Sequence, residues 1–368
     1  MSSNHLLEEV KEVLLKEGLL DRRQSLEQRL ASATKHPFVR ETFEFSPPRI
    51  DEITDYLPVQ HGRVYAVRMD LTPNVDNHKK QVAGALILRG ILSHRIPTPV
   101  IDTFIDGGSY SSASALKYYA AKFGMKGIYI MSRLCPEEIL SLLRSDTFSI
   151  IQAPADHALP REREFYSFLY DQMSNKDFKK NKFCLWHPKY GGKVSYPLGK
   201  ELAQRVPTDV NCIVSCLGAG TTLEGTQIPI QDYFTETGLQ KPKIFVAEHE
   251  LSPLFAEAYP DRRLLLPALD FGCFADDSRY FAGVPHNILG PHYDEINPLL
   301  AQSSINRIDY VTPYSDQDWK TTQKHLSQQG LSIGNSSAAN VNIAARLADQ
   351  GNNVLTVIFE PFRAFYKK

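Results

Sequence analysis

The sequence carries no surplus of either charge: 41 lysines and arginines stand against 42 acidic residues, leaving a net charge of −1 over 368 residues. That balance gives no general field for attracting nucleic acid or an anionic membrane surface. Nor is there an apolar run near the ~20 residues that a bilayer-spanning helix needs. The first nine residues show no basic stretch leading into an apolar one, so no secretory signal is read. Cysteine is scarce: Cys135, Cys184, Cys212, Cys216 and Cys273 are too few and too scattered for a disulfide framework. Cys212 and Cys216 would share one face of a strand. No further Cys or His follows at metal-ligand spacing, and buried structural thiols are favoured over zinc. No repeat of fixed period and no low-complexity segment appears. What remains is a chain expected in the cytoplasm and long enough to bury a large core.

What is present has a regular order. Leu6 to Leu30 places apolar residues at helical spacing among many charges (Leu6, Val10, Val13, Leu14), giving one or two amphipathic helices that end near Thr34–Pro37. A packing or dimer-contact arm is the preferred reading over a regulatory one. Beyond it, strand-like runs occur at Val100–Ile105, Gly127–Met131, Phe148–Gln152, Phe183–Trp186, Val210–Leu217, Lys243–Ala247 and Val354–Phe359. Helix-like segments separate them, including Ser112–Phe123, Pro136–Arg144, Arg161–Met173 and Ser337–Asp349. Strands alternating with helices of ten or more residues predict βαβ units and parallel sheets. His187–Pro197, rich in turn formers, is the best candidate for an internal linker.

Three elements carry chemistry. The first is the buried run Val210–Leu217 entering Gly218-Ala219-Gly220-Thr221-Thr222, with Gly225 following. Glycines let a backbone approach closely, and free N–H groups at a helix start favour phosphate. A dinucleotide fingerprint would need glycine where Leu223 stands, and a nucleotide-triphosphate loop would need lysine where Thr226 stands. A tight turn without ligand remains the structural alternative. The second element runs from Met69 to Lys80 and leads into the helical run Gln81–Leu92. Its turn residues put Lys79 and Lys80 near a helix N-terminus, where the dipole opposes a cation and lowers a lysine pKa, as an amine nucleophile requires. The bland alternative is a solvated surface lysine. The third is Gly330–Ala339, opening a helix, in which Ser336 and Ser337 read structurally as N-caps.

Together these segments resemble the fold type II pyridoxal-phosphate enzymes, represented by cysteine synthase, cystathionine β-synthase and tryptophan synthase β. Asp70 precedes Lys79 by the family's usual separation, and His78-Lys79 is similar to the tryptophan synthase β doublet. Gly218–Thr222 resembles the Gly-Thr-Gly-Gly-Thr phosphate loop. Gly334-Asn-Ser-Ser-Ala-Ala339 resembles Gly-Ile-Ser-Ser-Gly-Ala, and Tyr196–Leu202 the segment before the phosphate-loop strand. The likeness runs in order from about Arg63 to Tyr366. Departures lie at Lys80-Gln81, where relatives carry Asp-Arg, and at Gly107–Ala113, where the substrate-carboxylate loop lacks its Asn. That loop also resembles the Gly-Gly-x-x-Ser-Asn loop of the aminocyclopropane deaminase and D-cysteine desulfhydrase branch.

The resemblance implies an α/β architecture of two lobes, each a mostly parallel twisted sheet flanked by helices, with an N-terminal helical extension. Its expected divisions are 1–45 for the extension, 46–72 with 188–368 for a large cofactor-binding lobe, and 73–187 for a smaller mobile lobe. It implies pyridoxal 5'-phosphate as cofactor, held by Lys79 as a Schiff base, with Lys79 also the base that removes the substrate α-proton. Gly218, Ala219, Gly220, Thr221 and Thr222 would hold the phosphate with help from His78, and Ser336 would face the pyridine nitrogen. Ser109, Ser111 and Ser112 would bind the carboxylate of a small amino acid. No metal is implied, and a homodimer is expected. The implied reaction is β-elimination or β-replacement through an aminoacrylate. Two alternatives stand beside it: a deaminase, dehydratase or desulfhydrase releasing keto acid and ammonia, and a non-catalytic binding protein of the same fold. Asp156-His157 and Arg363 are considered and set aside as site residues.

Overall fold

The computed structural model describes residues 5–75, 77–133, 135, 137–154, 164–273, 296 and 300–362. The chain divides into two compact units, one formed by residues 1–46 and 79–198, the other by 47–78 and 199–368. Asp156, His157 and Arg363 lie outside the described residues, as does most of the stretch 274–299.

The first unit begins with three helices, α1 (His5–Lys16), α2 (Leu26–Ala33) and α3 (Pro37–Phe43). Leu7, Val10 and Leu14 of α1 are buried, as the 3–4 residue spacing requires of an amphipathic helix. A capping box closes the start of α2: Ser25 accepts from the Gln28 N–H while Gln28 returns a bond to the Ser25 N–H. All three helices pack against α4 (Lys79–Leu92). The unit's sheet contains β3 (Thr103–Gly107), β4 (Lys126–Met131), β5 (Phe148–Gln152) and β6 (Lys182–Cys184), in the order β5-β4-β3-β6 and parallel throughout. Helices α5 (Tyr110–Lys122), α6 (Glu137–Leu143), α7 (Glu164–Ser174) and α8 (Lys176–Lys179) supply the crossovers. Every residue of β3 is buried, the mark of a parallel strand covered on both faces.

The second unit is built on β1 (Arg49–Glu52), β2 (Arg63–Arg68), β7 (Cys212–Cys216), β8 (Lys243–His249), β9 (Tyr310–Tyr314) and β10 (Asn353–Ile358). Their order is β1-β2-β10-β7-β8-β9, with only β1 antiparallel to its neighbour. Its helices are α10 (Ile228–Glu236), α11 (Leu254–Ala258), α12 (Gln302–Ile305), α13 (Asp316–Gln328) and α14 (Asn335–Ala348). Helix α14 is buried nearly all round, from Ser337 to Ala348, and packs on β10, β7 and α13. Its alanines let the helix approach the sheet closely, and the resulting cluster is the main core of this unit. Cys212 and Cys216 both belong to it; burial pushes each thiol up to about 12.

Two expectations are corrected here. His187–Pro197 is no linker; it forms the first part of α9 (His187–Ala203). Val194, Leu198 and Leu202 fall on one face at i, i+4 and i+8 and are all buried, so packing of an apolar stripe overrides the turn-forming glycines and Pro197. Ser336 and Ser337 are not N-caps, because Gly334 takes that position. Ser337 instead accepts a hydrogen bond from the Phe359 N–H at 3.0 Å, tying α14 to the end of β10. Among the described residues no helix is long and apolar enough to cross a membrane.

Candidate active site

In a parallel sheet the residues just beyond the strand C-termini share one edge, where α/β proteins place their chemistry. In the first unit β3 pairs with β6 so that Ile105 lies opposite Cys184. Asp106 closes β3, and His187 follows shortly after β6. The register brings them together: Asp106 Oδ2 lies 3.1 Å from His187 Nδ1 and accepts from the His187 backbone N–H at 3.4 Å. Its other oxygen accepts from the Gly107 N–H at 3.0 Å. Both side chains are almost wholly buried. Burial lowers the His187 pKa, against Asp106, which raises it; the nearby Lys79 lowers it further. The imidazole is therefore neutral, and the carboxylate assigns its proton to Nδ1. Nε2 is left to accept from the Tyr166 hydroxyl, 3.3 Å away.

Lys79 belongs to the same group. It is the first residue of α4, as the turn-rich segment before it predicts, and its side chain is half-buried. Burial pushes its pKa down to about 8, with Asp106 acting in the opposite sense. Loss of hydration disfavours an ammonium, and one nearby carboxylate restores only part of that loss. The sequence attributed the shift to the helix dipole; desolvation is the larger cause.

The loop after β3 is packed against this group. Gly108 has φ +145°, and a Cβ there would stand 2.8 Å from Tyr129 Oη, 2.9 Å from His187 Cε1 and 3.1 Å from Ser112 Oγ. Only glycine fits. Helix α5 begins two residues earlier than its pattern suggested. Ser109 is its N-cap and is exposed, while Ser111 and Ser112 are buried in the first turn. Tyr129 donates to Ser112 Oγ, which itself donates to the Ser109 carbonyl at 3.1 Å. One of the three serines is thus open to solvent and the other two are buried.

The second unit gathers its candidates at the C-terminal edge of its own sheet. Strand β7 ends at Cys216, Gly218–Gly220 form the turn, and Thr221 and Thr222 begin the helical run that continues into α10. A π turn, Leu223–Gln227, interrupts that run, a distortion concentrated at functional sites. Gly220 has φ +85°, and a Cβ on it would meet Leu300 Cδ1 at 2.5 Å. Ala219 lies beside it in the same turn. Thr221 Oγ1 is buried and has no hydrogen-bond partner among the described residues. A buried hydroxyl costs free energy unless something bonds it. A phosphate at the helix start is such an acceptor, so the loop fits the group that its sequence implies.

Ser336 stands at the same edge, its carbonyl 3.8 Å from Cys216 Sγ. Beneath them the buried Asn340 side chain accepts from the Cys216 N–H at 2.6 Å and donates to the Val357 carbonyl at 2.9 Å, locking β7 to β10. His78 joins the edge through β10: its N–H donates to the Phe359 carbonyl at 3.3 Å and its ring lies 4.7 Å from the Phe359 ring. Structure thus groups Lys79, Ser109, Ser111 and Ser112 in one unit, and His78, Gly218–Thr222 and Ser336 in the other. Asp106, His187 and Asn340 were missed as site residues. For Asp106 and His187 the signal was available: each follows a predicted strand of a parallel sheet. Among the described residues no group of three or more His, Cys, Asp or Glu side chains forms a metal cluster.

Comparison with known proteins identifies the family and the fold. Residues 49–359 match the family described as pyridoxal-phosphate dependent enzyme. No curated protein sequence matches the chain significantly. Among solved structures, the O-acetylserine-dependent cystathionine β-synthase of Helicobacter pylori aligns over 89% of this chain and 97% of its own, with TM-score 0.66 and 20% identity. A hydrogen sulfide-producing enzyme of Fusobacterium nucleatum aligns over 88% and 97%, with TM-score 0.67 and 16% identity. The isoform 3 O-acetylserine sulfhydrylase of Entamoeba histolytica aligns over 90% and 92%, with TM-score 0.67 and 15% identity. At such identities the likeness is one of fold, and it is the family match, covering most of the chain, that identifies it as a member of the pyridoxal-phosphate-dependent enzymes.

Proposed function

We propose that this chain catalyses a β-replacement on a small amino acid, with Lys79 as the residue that binds the cofactor covalently and moves the substrate α-proton. The observation that carries the reading is a half-buried lysine at the start of α4, held near pKa 8 beside a buried carboxylate. An amine so placed is neutral often enough at physiological pH to act as nucleophile and base. Pyridoxal phosphate, when bound, supplies the electron sink for bond cleavage at the α-carbon.

The remaining roles follow from the chemistry of each group. The loop Gly218–Thr222 binds phosphate through helix-start N–H groups and the Thr221 hydroxyl, with His78 contributing from the end of β10. Ser336 offers a neutral hydroxyl to the pyridine nitrogen, which does not demand a protonated ring as a carboxylate would. Ser109 receives the substrate carboxylate at the exposed start of α5, with Ser111 and Ser112 shaping the wall behind it. The Asp106–His187 pair fixes the backbone of that wall, holding the loop after β3 in the one geometry that Gly108 permits. Two of the similar structures are named as an O-acetylserine-dependent cystathionine β-synthase and an O-acetylserine sulfhydrylase, which supports replacement as the first reading. A third is named for hydrogen sulfide production, which supports elimination as the second reading.

Purified protein is expected to show the visible absorption band of lysine-bound cofactor, lost in Lys79→Ala. Supplying O-acetylserine or serine with a thiol then separates the readings. A new β-substituted amino acid indicates replacement; keto acid and ammonia indicate elimination. A protein that remains colourless with added cofactor refutes both.

A further inference from the structure

The two residues after Lys79 depart from the family pattern, and the structure gives both of them work. Lys80 is fully buried. Its ammonium is paired with Glu44, at the end of the N-terminal helices, and lies 4.8 Å from the centre of the Tyr118 ring. Gln81 donates its side-chain amide to the Ser46 carbonyl. Both tethers therefore end on one three-residue stretch of the chain, Glu44–Ser46.

That stretch is itself firmly placed. Glu44 has φ 52°, a left-handed conformation unusual for a residue with a side chain and held only where its surroundings enforce it. It sits between Phe43 and Phe45, both buried and stacked with ring centroids 5.5 Å apart. Phe43 also packs on Tyr119 and Phe123, and its carbonyl accepts from the Tyr119 hydroxyl at 2.6 Å. A Cβ at Gly84 of α4 would stand 3.2 Å from Phe45, so α4 approaches the stretch closely. With both rings turned inward, the Glu44 carboxylate is presented to Lys80, to the Tyr118 hydroxyl and to Lys122 at 2.6 Å.

We propose that Glu44 and Lys80 are positioning residues for Lys79, so that the N-terminal helices of this chain form part of the cofactor-anchoring apparatus. Successive helical residues are rotated by about 100°. Holding Lys80 and Gln81 to a fixed stretch sets the rotation of the first turn of α4, and with it the direction in which Lys79 leaves the helix. Glu44 also neutralises a buried charge one residue from the reactive amine. This role rests on Lys79 being the cofactor anchor and needs no choice between replacement and elimination.

The test uses the full chain with bound cofactor and reads visible circular dichroism, which reports how the chromophore is held, together with the cofactor dissociation constant and thermal midpoint. Glu44→Gln is expected to weaken cofactor binding by about tenfold and to change the visible dichroic band, as loss of a coupled neighbour commonly does. The exchanged pair Glu44→Lys with Lys80→Glu should recover much of both. Gln81→Met, a milder variant should the first fail to fold, is expected to shift the band in the same sense. An unchanged dichroic band and dissociation constant in folded Glu44→Gln and Gln81→Met overturn the proposal, even if the thermal midpoint falls, because the contacts would then serve stability alone. Wild-type protein that binds no cofactor, or Lys79→Ala that keeps the visible band, refutes the anchor assignment instead.

Discussion

Capture of pyridoxal phosphate by the cofactor-free protein is predicted to depend on pH as the titration of Lys79 dictates. Only the neutral amine attacks the cofactor's aldehyde. An ordinary lysine, with pKa near 10.5, is neutral in about 3 molecules in 10,000 at pH 7. With its pKa pushed down to about 8, Lys79 is neutral in about 1 in 11, a gain of about 300-fold in reactive species. The second-order rate of capture, followed by stopped-flow absorbance, is expected to rise about tenfold per pH unit below pH 8 and to level off above it. Asp106 favours the ammonium, so Asp106→Asn should move the midpoint to lower pH. The same shift acts on stability. Unfolded chain binds more protons than folded chain between pH 8 and 10.5, so the cofactor-free protein should gain stability as pH rises through that window. A capture rate that climbs without inflection to pH 10 would refute the assignment of a desolvated amine.

The other predictions concern the candidate groups of each unit. Asp106→Asn should also lower stability by about 2–3 kcal/mol in urea unfolding, since hydrogen bonds to a buried charged group are each worth about that much. Thr221→Val should raise the stability of the cofactor-free protein by about 1 kcal/mol by removing a buried hydroxyl with no partner among the described residues, while weakening cofactor binding measurably. Equal cofactor affinity in that variant would deny the hydroxyl a role in phosphate binding. Gly220→Ala combines a positive φ with a clash against Leu300, and should cost about 1–3 kcal/mol and lower cofactor affinity together.

Much of the architecture is legible because parallel strands are buried on both faces and so appear as short apolar runs. Val210–Leu217 and Lys243–Ala247 contain or overlap β7 and β8 in this way. Strand β9 escapes because Tyr310–Tyr314 holds a Pro and a Thr and too few aliphatics to stand out, although it is buried at Val311 and Thr312. Strand β1 is charged, an edge strand with exposed ends, and its pattern is that of a loop. The start of α9 is misread for a different reason, since Gly191, Gly192 and Pro197 speak locally against helix while buried Val194, Leu198 and Leu202 decide for it.

For the site, Lys79 and the glycine turn are visible because their residue types are unusual where they stand. The Asp106–His187 pair spans 81 positions in sequence, and only the register of β3 against β6 brings it together. The tie between Lys80 and Glu44 is equally remote from any local pattern: it depends on a left-handed residue between two aromatic rings that pack on another helix.

The buried thiols have a consequence for the chemistry proposed. Burial raises the pKa of Cys135, Cys184, Cys212 and Cys216, so these sulfurs stay protonated and are poor nucleophiles. A catalyst that activates a β-carbon toward sulfur must not be alkylated by its own product of activation, and these four thiols are withheld from that reaction. The same silence makes a reporter. Cys184 lies in the sheet of one unit and Cys212 and Cys216 in that of the other, so the onset of labelling at each site times the opening of each sheet separately.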